Sequence, residues 1–173
     1  MVLLAVGACS EDSSEPTTPS LEIAEHRGRA GETVSGGGKF ISPDFGSVTF
    51  AFLATRDKDG TVSGAFFQDQ HDQGFTYAGK VTCFAIDREK GRAWIAGDLT
   101  FSNDPSEITG VRDDVWFRVL DVGKGSDRSD RSTFMGFEGS AGIATSDDYC
   151  KAKLWAPQNA RTWRVVKGDI VIH

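Results

Sequence analysis

Three groups of side chains in this 173-residue chain have types and spacing that could do chemistry. The first is the run Asp121-Val-Gly-Lys-Gly-Ser-Asp127-Arg-Ser-Asp130, preceded by Asp113 and Asp114 at the start of the strand that feeds it. Carboxylates strung along a glycine-rich loop can gather around Ca²⁺, which accepts six to eight oxygens in irregular geometry. Asp121, Asp127 and Asp130 are therefore candidate calcium ligands, and Ca²⁺ is the one cofactor the sequence raises. The spacing is not that of an EF-hand, and Lys124, Arg128 and Arg131 offset the negative potential; the competing reading is a solvated turn with Asp caps. The second group is Asp69-Gln70-His71-Asp72, where an imidazole between carboxylates could ligate a metal, act as a tuned base or contact a ligand through Asp69 and His71. It has no second imidazole at ligand spacing, and His26 and His173 lie near the chain ends; against it stands a polar hairpin end. The third is the pair Trp94 and Trp116, each on the less apolar face of its strand. Such rings could form a platform for a sugar or another flat ligand, or could be packing residues.

No catalytic residue is assigned. Gly38-Lys39 lacks the earlier glycine of a phosphate loop, and Gly123-x-Gly125 has Arg128 where a dinucleotide fingerprint needs glycine. Ser140 lacks the first glycine of a nucleophile elbow. A net charge of −6 argues against a nucleic-acid partner, which would need clustered Lys and Arg.

The elements that must position these groups read as strands. The stretch 74–101 alternates as two strands about the polar turn 87–91, with Phe75, Tyr77, Val81, Cys83 and Ala85 as the apolar set of the first and Ala93, Ile95, Leu99 and Phe101 as that of the second. Further strands are expected at 32–38, 46–54 and 61–68, the last two joined by the hairpin turn Asp57-Lys-Asp-Gly60. Others are expected at 114–122, 132–138 and 162–173. No amphipathic helix stands out. The expected fold is an all-β, single-domain antiparallel β-sandwich of about eight strands, with a small closed β-barrel as the alternative.

The N-terminus carries an address. Residues 1–8 (MVLLAVGA) are apolar and end in Val6-Gly7-Ala8-Cys9, which resembles the lipobox of bacterial lipoproteins. Cys9 would be the lipidated first residue and 1–8 the remnant of a signal peptide, although no Lys or Arg precedes the apolar run. Eight apolar residues are too few to span a bilayer. Residues 9–20 then form an acidic, Pro-containing tether holding half of the net charge, and 21–173 the all-β domain. Ser10 after Cys9 resembles lipoproteins sent on to the outer membrane. Cys83 and Cys150 remain, and an even pair in an exported chain reads as one disulfide, with two buried thiols as the alternative.

The succession Gly36-Gly-Gly38, the stretch Gly64 to Asp69 with His71, Val81-Thr-Cys83, Ala93-Trp-Ile-Ala-Gly97, Val119-Leu-Asp121, Cys150 and Gly168-Asp-Ile-Val171 resembles an uncharacterised β-rich domain of bacterial secreted proteins and lipoproteins. The resemblance covers nearly everything after the tether. It implies the β fold and the cysteine pair, and no activity. The expected function is thus a lipid-anchored bacterial envelope protein that displays a non-catalytic β domain to a protein or glycan partner. The alternative is a small-barrel enzyme acting on a polysaccharide or small ligand, with Asp69, His71 and the Asp121 loop converging at its mouth.

Overall fold

The structure, a computed structural model, describes residues 30–104, 114–123, 129–135, 143–155 and 162–173. The expected lipidated Cys9, the tether and the leader lie outside these residues. Eight antiparallel strands run in chain order: β1 Ala30–Ser42, β2 Gly46–Asp57, β3 Val62–Gln70, β4 Phe75–Asp87, β5 Arg92–Ser102, β6 Asp114–Leu120, β7 Arg131–Ser132 and β8 Trp163–Ile172. One helix, α1 Ser146–Ala152, lies between β7 and β8. The all-β antiparallel class is as expected. Each strand pairs with its neighbour in sequence and β8 pairs back onto β1, so the ladder order is that of a closed barrel. The closure is thin at β7, which contributes only two residues.

Two carboxylates complete that seam. Asp130 accepts from the backbone N–H of Val122 (3.0 Å) with one oxygen and of Ile170 (2.8 Å) with the other, and Asp121 accepts from Ile172 N–H (3.1 Å). Side-chain oxygens here take the place of the strand carbonyls that β7 is too short to supply, which satisfies the edge N–H groups of β8.

The alternation of apolar residues explains the interior. Val34 and Phe40 of β1, Val48, Phe50, Phe52 and Ala54 of β2, Phe66 of β3, Ile95 of β5 and Val115, Phe117 and Val119 of β6 form one buried cluster. Ring contacts run through it: Phe52 and Phe66 each meet Phe117 edge to face, and Phe50 stacks on Phe52. Glycines make the space. A Cβ at Gly36 would stand 2.7 Å from the Phe52 ring, and one at Gly79 would stand 2.1 Å from that of Phe66. Small residues facing large ones are how a small barrel fills its interior.

Strict alternation fails in three places, each for a visible reason. In β4 the register shifts between Val81 and Cys83, so Thr82 is an extra residue and the strand turns over. Tyr77 and Val81 point in, whereas Cys83 and Ala85 leave the apolar set expected for them and join an outer cluster with Trp94 and Trp116. A second shift between Ala78 and Gly79 leaves Phe101, expected inside, 54% exposed. Where a strand was expected over 132–138, the described residues pair at Ser132 and, just before the segment, at Arg131, while 136–138 lie outside the described residues. Met135 N–H donates instead to Gln68 Oε1 (2.7 Å), drawing the chain into the end of the barrel.

The helix was not expected. Thr145 caps it by accepting from Asp148 N–H (3.2 Å), and Asp147 and Asp148 stand in the first turn, where carboxylates oppose the helix dipole. Lys153 ends it in the left-handed conformation. Its inner side buries Tyr149, stacked on Trp116 at 5.6 Å, and Cys150, bonded to Cys83 across a Cα–Cα distance of 6.3 Å. Of the two readings of the cysteine pair, the disulfide is the one formed.

Candidate functional site

The outside of the barrel has two unlike faces. Over β4 to β6, α1 and Trp155 cover the sheet. Trp94 is 2% exposed, meets Trp155 edge to face at 5.8 Å and donates its indole N–H to Leu154 O (2.7 Å). Trp116 is 7% exposed beneath Tyr149. The expectation of an aromatic platform at Trp94 and Trp116 is corrected: both rings face outward, and the helix that the disulfide holds against the sheet buries them. Arg92 and Arg118 then lie over Trp155 at 4.5 and 5.0 Å, closing this side with cation–π contacts.

Over β1 to β5 the outer face is open. Register places Gly37, Ala51, Phe67, Ala78 and Phe101 opposite one another in a single row across five strands. Phe67 is 39% exposed and Phe101 54%, two strand spacings or roughly 10 Å apart, with only Ala78 between them in the row. The next row holds Ser35, Leu53, Ala65, Lys80 and Asp98, and the row on the other side holds Lys39, Thr49, Asp69 and Thr76. Among the described residues of these three rows, two cations, Lys39 and Lys80, stand against two anions, Asp69 and Asp98.

The structure joins Asp69 and His71 and places them on this face. His71 Nδ1 stands 3.4 Å from Asp69 Oδ2, and its Nε2 shares a hydrogen bond of 2.7 Å with Thr49 Oγ1. The order hydroxyl, imidazole, carboxylate is that of an activated nucleophile. Two features make it a poor one. The imidazole–carboxylate contact is long, and the backbone on either side of Thr49 is paired in the β1–β2–β3 ladder, so it presents no pair of free N–H groups to an oxyanion there. What remains is an exposed strip of donors and acceptors one row from two aromatic rings.

The calcium candidates do not assemble at that strip. Asp127 lies outside the described residues. Asp121 and Asp130 serve the barrel seam, and Asp121 also caps Gly123 N–H at 2.7 Å. Burial pushes the Asp130 carboxyl above the usual carboxylate range, and hydrogen bonding with Asp169 and the charge of Asp121 push it the same way, although the two N–H groups it accepts from act against this. Among the described residues no group of three or more His, Cys, Asp or Glu side chains could hold a metal ion. Asp121 also sits beside the β4–β5 turn, its N–H donating to Gly91 O (2.8 Å), whereas His71 N–H donates to Ser47 O (3.0 Å) beside the β1–β2 turn. These are opposite ends of the strands, so the mouth that the enzyme alternative required does not form from them. A shallow groove of about 480 Å³ between β4 and α1 contains Arg56, Lys151 and the disulfide, and neither candidate group borders it.

Sequence reasoning missed Phe67 and Phe101 as surface groups. Phe67 had a signal, since it falls on the opposite face of β3 from Phe66; Phe101 had none, because only the bulge turns it outward. No family model, curated protein or solved structure matches this chain.

Proposed function

We propose that this protein is a non-catalytic binding module of a bacterial envelope lipoprotein, anchored through Cys9, and that it holds a neutral glycan on the open face of β1 to β5. The observation that carries the reading is the exposed row with Phe67 and Phe101, flanked by Thr49, Asp69 and His71. Aromatic faces stack against the C–H faces of pyranose rings, while carboxylate, imidazole and hydroxyl groups bond sugar hydroxyls. Rings about 10 Å apart on a flat sheet suit successive sugar units of an extended chain. The balance of Lys39 and Lys80 against Asp69 and Asp98 favours a neutral polymer over a charged one. The tether of residues 9–20 gives reach, and the multiple acyl chains of a lipoprotein give a firm anchor.

The test is depletion of the protein from solution by insoluble neutral polysaccharides: cellulose, chitin and a β-1,3-glucan. Wild type is expected to be retained by at least one of them, and Phe67→Ala/Phe101→Ala to bind about 30-fold more weakly, on roughly 1 kcal/mol of stacking for each ring. Both rings are exposed, so thermal stability should change little. Equal partitioning of wild type and variant, or no retention of wild type, would sink the reading.

A further inference from the structure

The inward positions of β3 run Phe66, Gln68, Gln70, and the last two place amides beside a buried cluster of Phe, Val, Ile, Ala and Met side chains. Gln68 is 0% exposed and Gln70 1%. Gln68 Oε1 is engaged by Met135 N–H, which fixes the orientation of that amide, since an N–H can only donate to the oxygen. Among the described residues its Nε2 has no partner, and Gln70 has none at Nε2 or Oε1. Buried polar groups are ordinarily paired, and an apolar side chain at either position would avoid the desolvation cost of leaving them open. Val48 and Phe50 of β2 and Phe75 and Tyr77 of β4 stand opposite the two amides in the ladder. Phe134 packs on Tyr77 and stacks with the half-buried Phe45 at 4.4 Å, closing this end.

We infer that this end of the barrel is a second binding site, inside the wall and separate from the outer face, for a small, flat, neutral molecule of the cyclic imide or lactam class. Whichever way the Gln70 amide is turned, it offers one donor and one acceptor, and Gln68 adds a second donor. The complementary ligand has a ring N–H flanked by carbonyl groups: the N–H donates to Gln70 Oε1, the carbonyls accept from the two Nε2 groups, and the ring lies against Phe50 and Val48. Access is past the Phe45–Phe134 pair. Asp104, which accepts from the Tyr77 hydroxyl at 2.7 Å, disfavours an anion at the same place.

The experiment is saturation-transfer NMR and thermal unfolding of the full chain with uracil, succinimide and 2-pyrrolidinone as probes. At least one is expected to receive magnetisation from the protein and to raise its melting temperature in a concentration-dependent way, as any ligand of the native state must. Gln70→Met, similar in shape but without the amide, is expected to weaken that probe by at least about tenfold while keeping the fold. Should Gln70→Met fail to fold, NOEs between the probe and the Phe50 and Tyr77 rings of the wild type decide the matter, and their absence overturns the site. Equal binding by Gln70→Met also overturns it. So does a crystal soaked with the probes that shows only water between Gln68 and Gln70.

Discussion

Opening the Cys83–Cys150 bond should undock α1 and expose the tryptophan face of the barrel. The helix has seven residues, too few to persist alone in water, so its place depends on Tyr149 packing, on the hydrogen bonds from Ser146 to Asp114 and on the disulfide bond. The cysteines are 67 residues apart, and the loop-entropy relation gives roughly 4 kcal/mol for a closed loop of that length. Typical domains have a total stability of about 5–15 kcal/mol, so the reduced protein should stay folded at room temperature but melt about 8–16 °C lower. Trp94 and Trp116, 2% and 7% exposed, should then report by a red shift of their emission at denaturant concentrations that leave the far-UV signal of the strands intact. The assay is urea unfolding followed by both signals, on the oxidised protein, the protein in a phosphine reductant and Cys83→Ala/Cys150→Ala. A loss under about 1 kcal/mol together with unchanged emission would refute the reasoning, because it would mean that the helix stays docked without the bond.

Two further outcomes are expected. Burial, with Asp169 and Asp121 adding to it, raises the Asp130 carboxyl, so the folded chain binds this proton more tightly than the unfolded chain; its contribution to stability is full below the ordinary carboxylate pKa and is lost as pH rises through the raised value. Asp169 is exposed, so Asp169→Asn should raise the melting temperature at neutral pH and give little gain near pH 3, whereas a gain independent of pH would contradict the assignment. Wild type grown with labelled palmitate should carry the label and partition into detergent, and Cys9→Ala should do neither; label in the variant would remove the proposed anchor.

Some of this molecule could be read from the chain because the reading needs only neighbours in sequence. Alternation of apolar residues placed β2, β6 and most of β4 and β5, and the polar turns at 57–60 and 87–91 marked the hairpins, since a strand's two faces and a tight turn are local properties of the backbone. The pair of cysteines left once Cys9 is assigned to the lipobox-like leader pointed to the disulfide. The helix also had a local signal, Thr145 before Ser-Asp-Asp, but seven residues carry too little periodicity to stand out among strands. The remainder depended on tertiary packing. An extra residue at Thr82 reverses the faces of β4, and no local preference announces it; it turns Cys83 outward, where it bonds Cys150 of the helix, 67 residues away in sequence. The helix that meets Cys83 buries Trp94 and Trp116, the second shift at Ala78/Gly79 turns Phe101 outward, and the alternation of β3 leaves Phe67 exposed. Thr49, Asp69 and His71 come together only because β2 and β3 pair in one particular register, and Asp121 and Asp130 are drawn to the seam because β7 is too short to close it. Sequence determines which residues can alternate, turn or cross-link; which face ends up covered depends on what packs against it from far along the chain, and only the folded structure decides that.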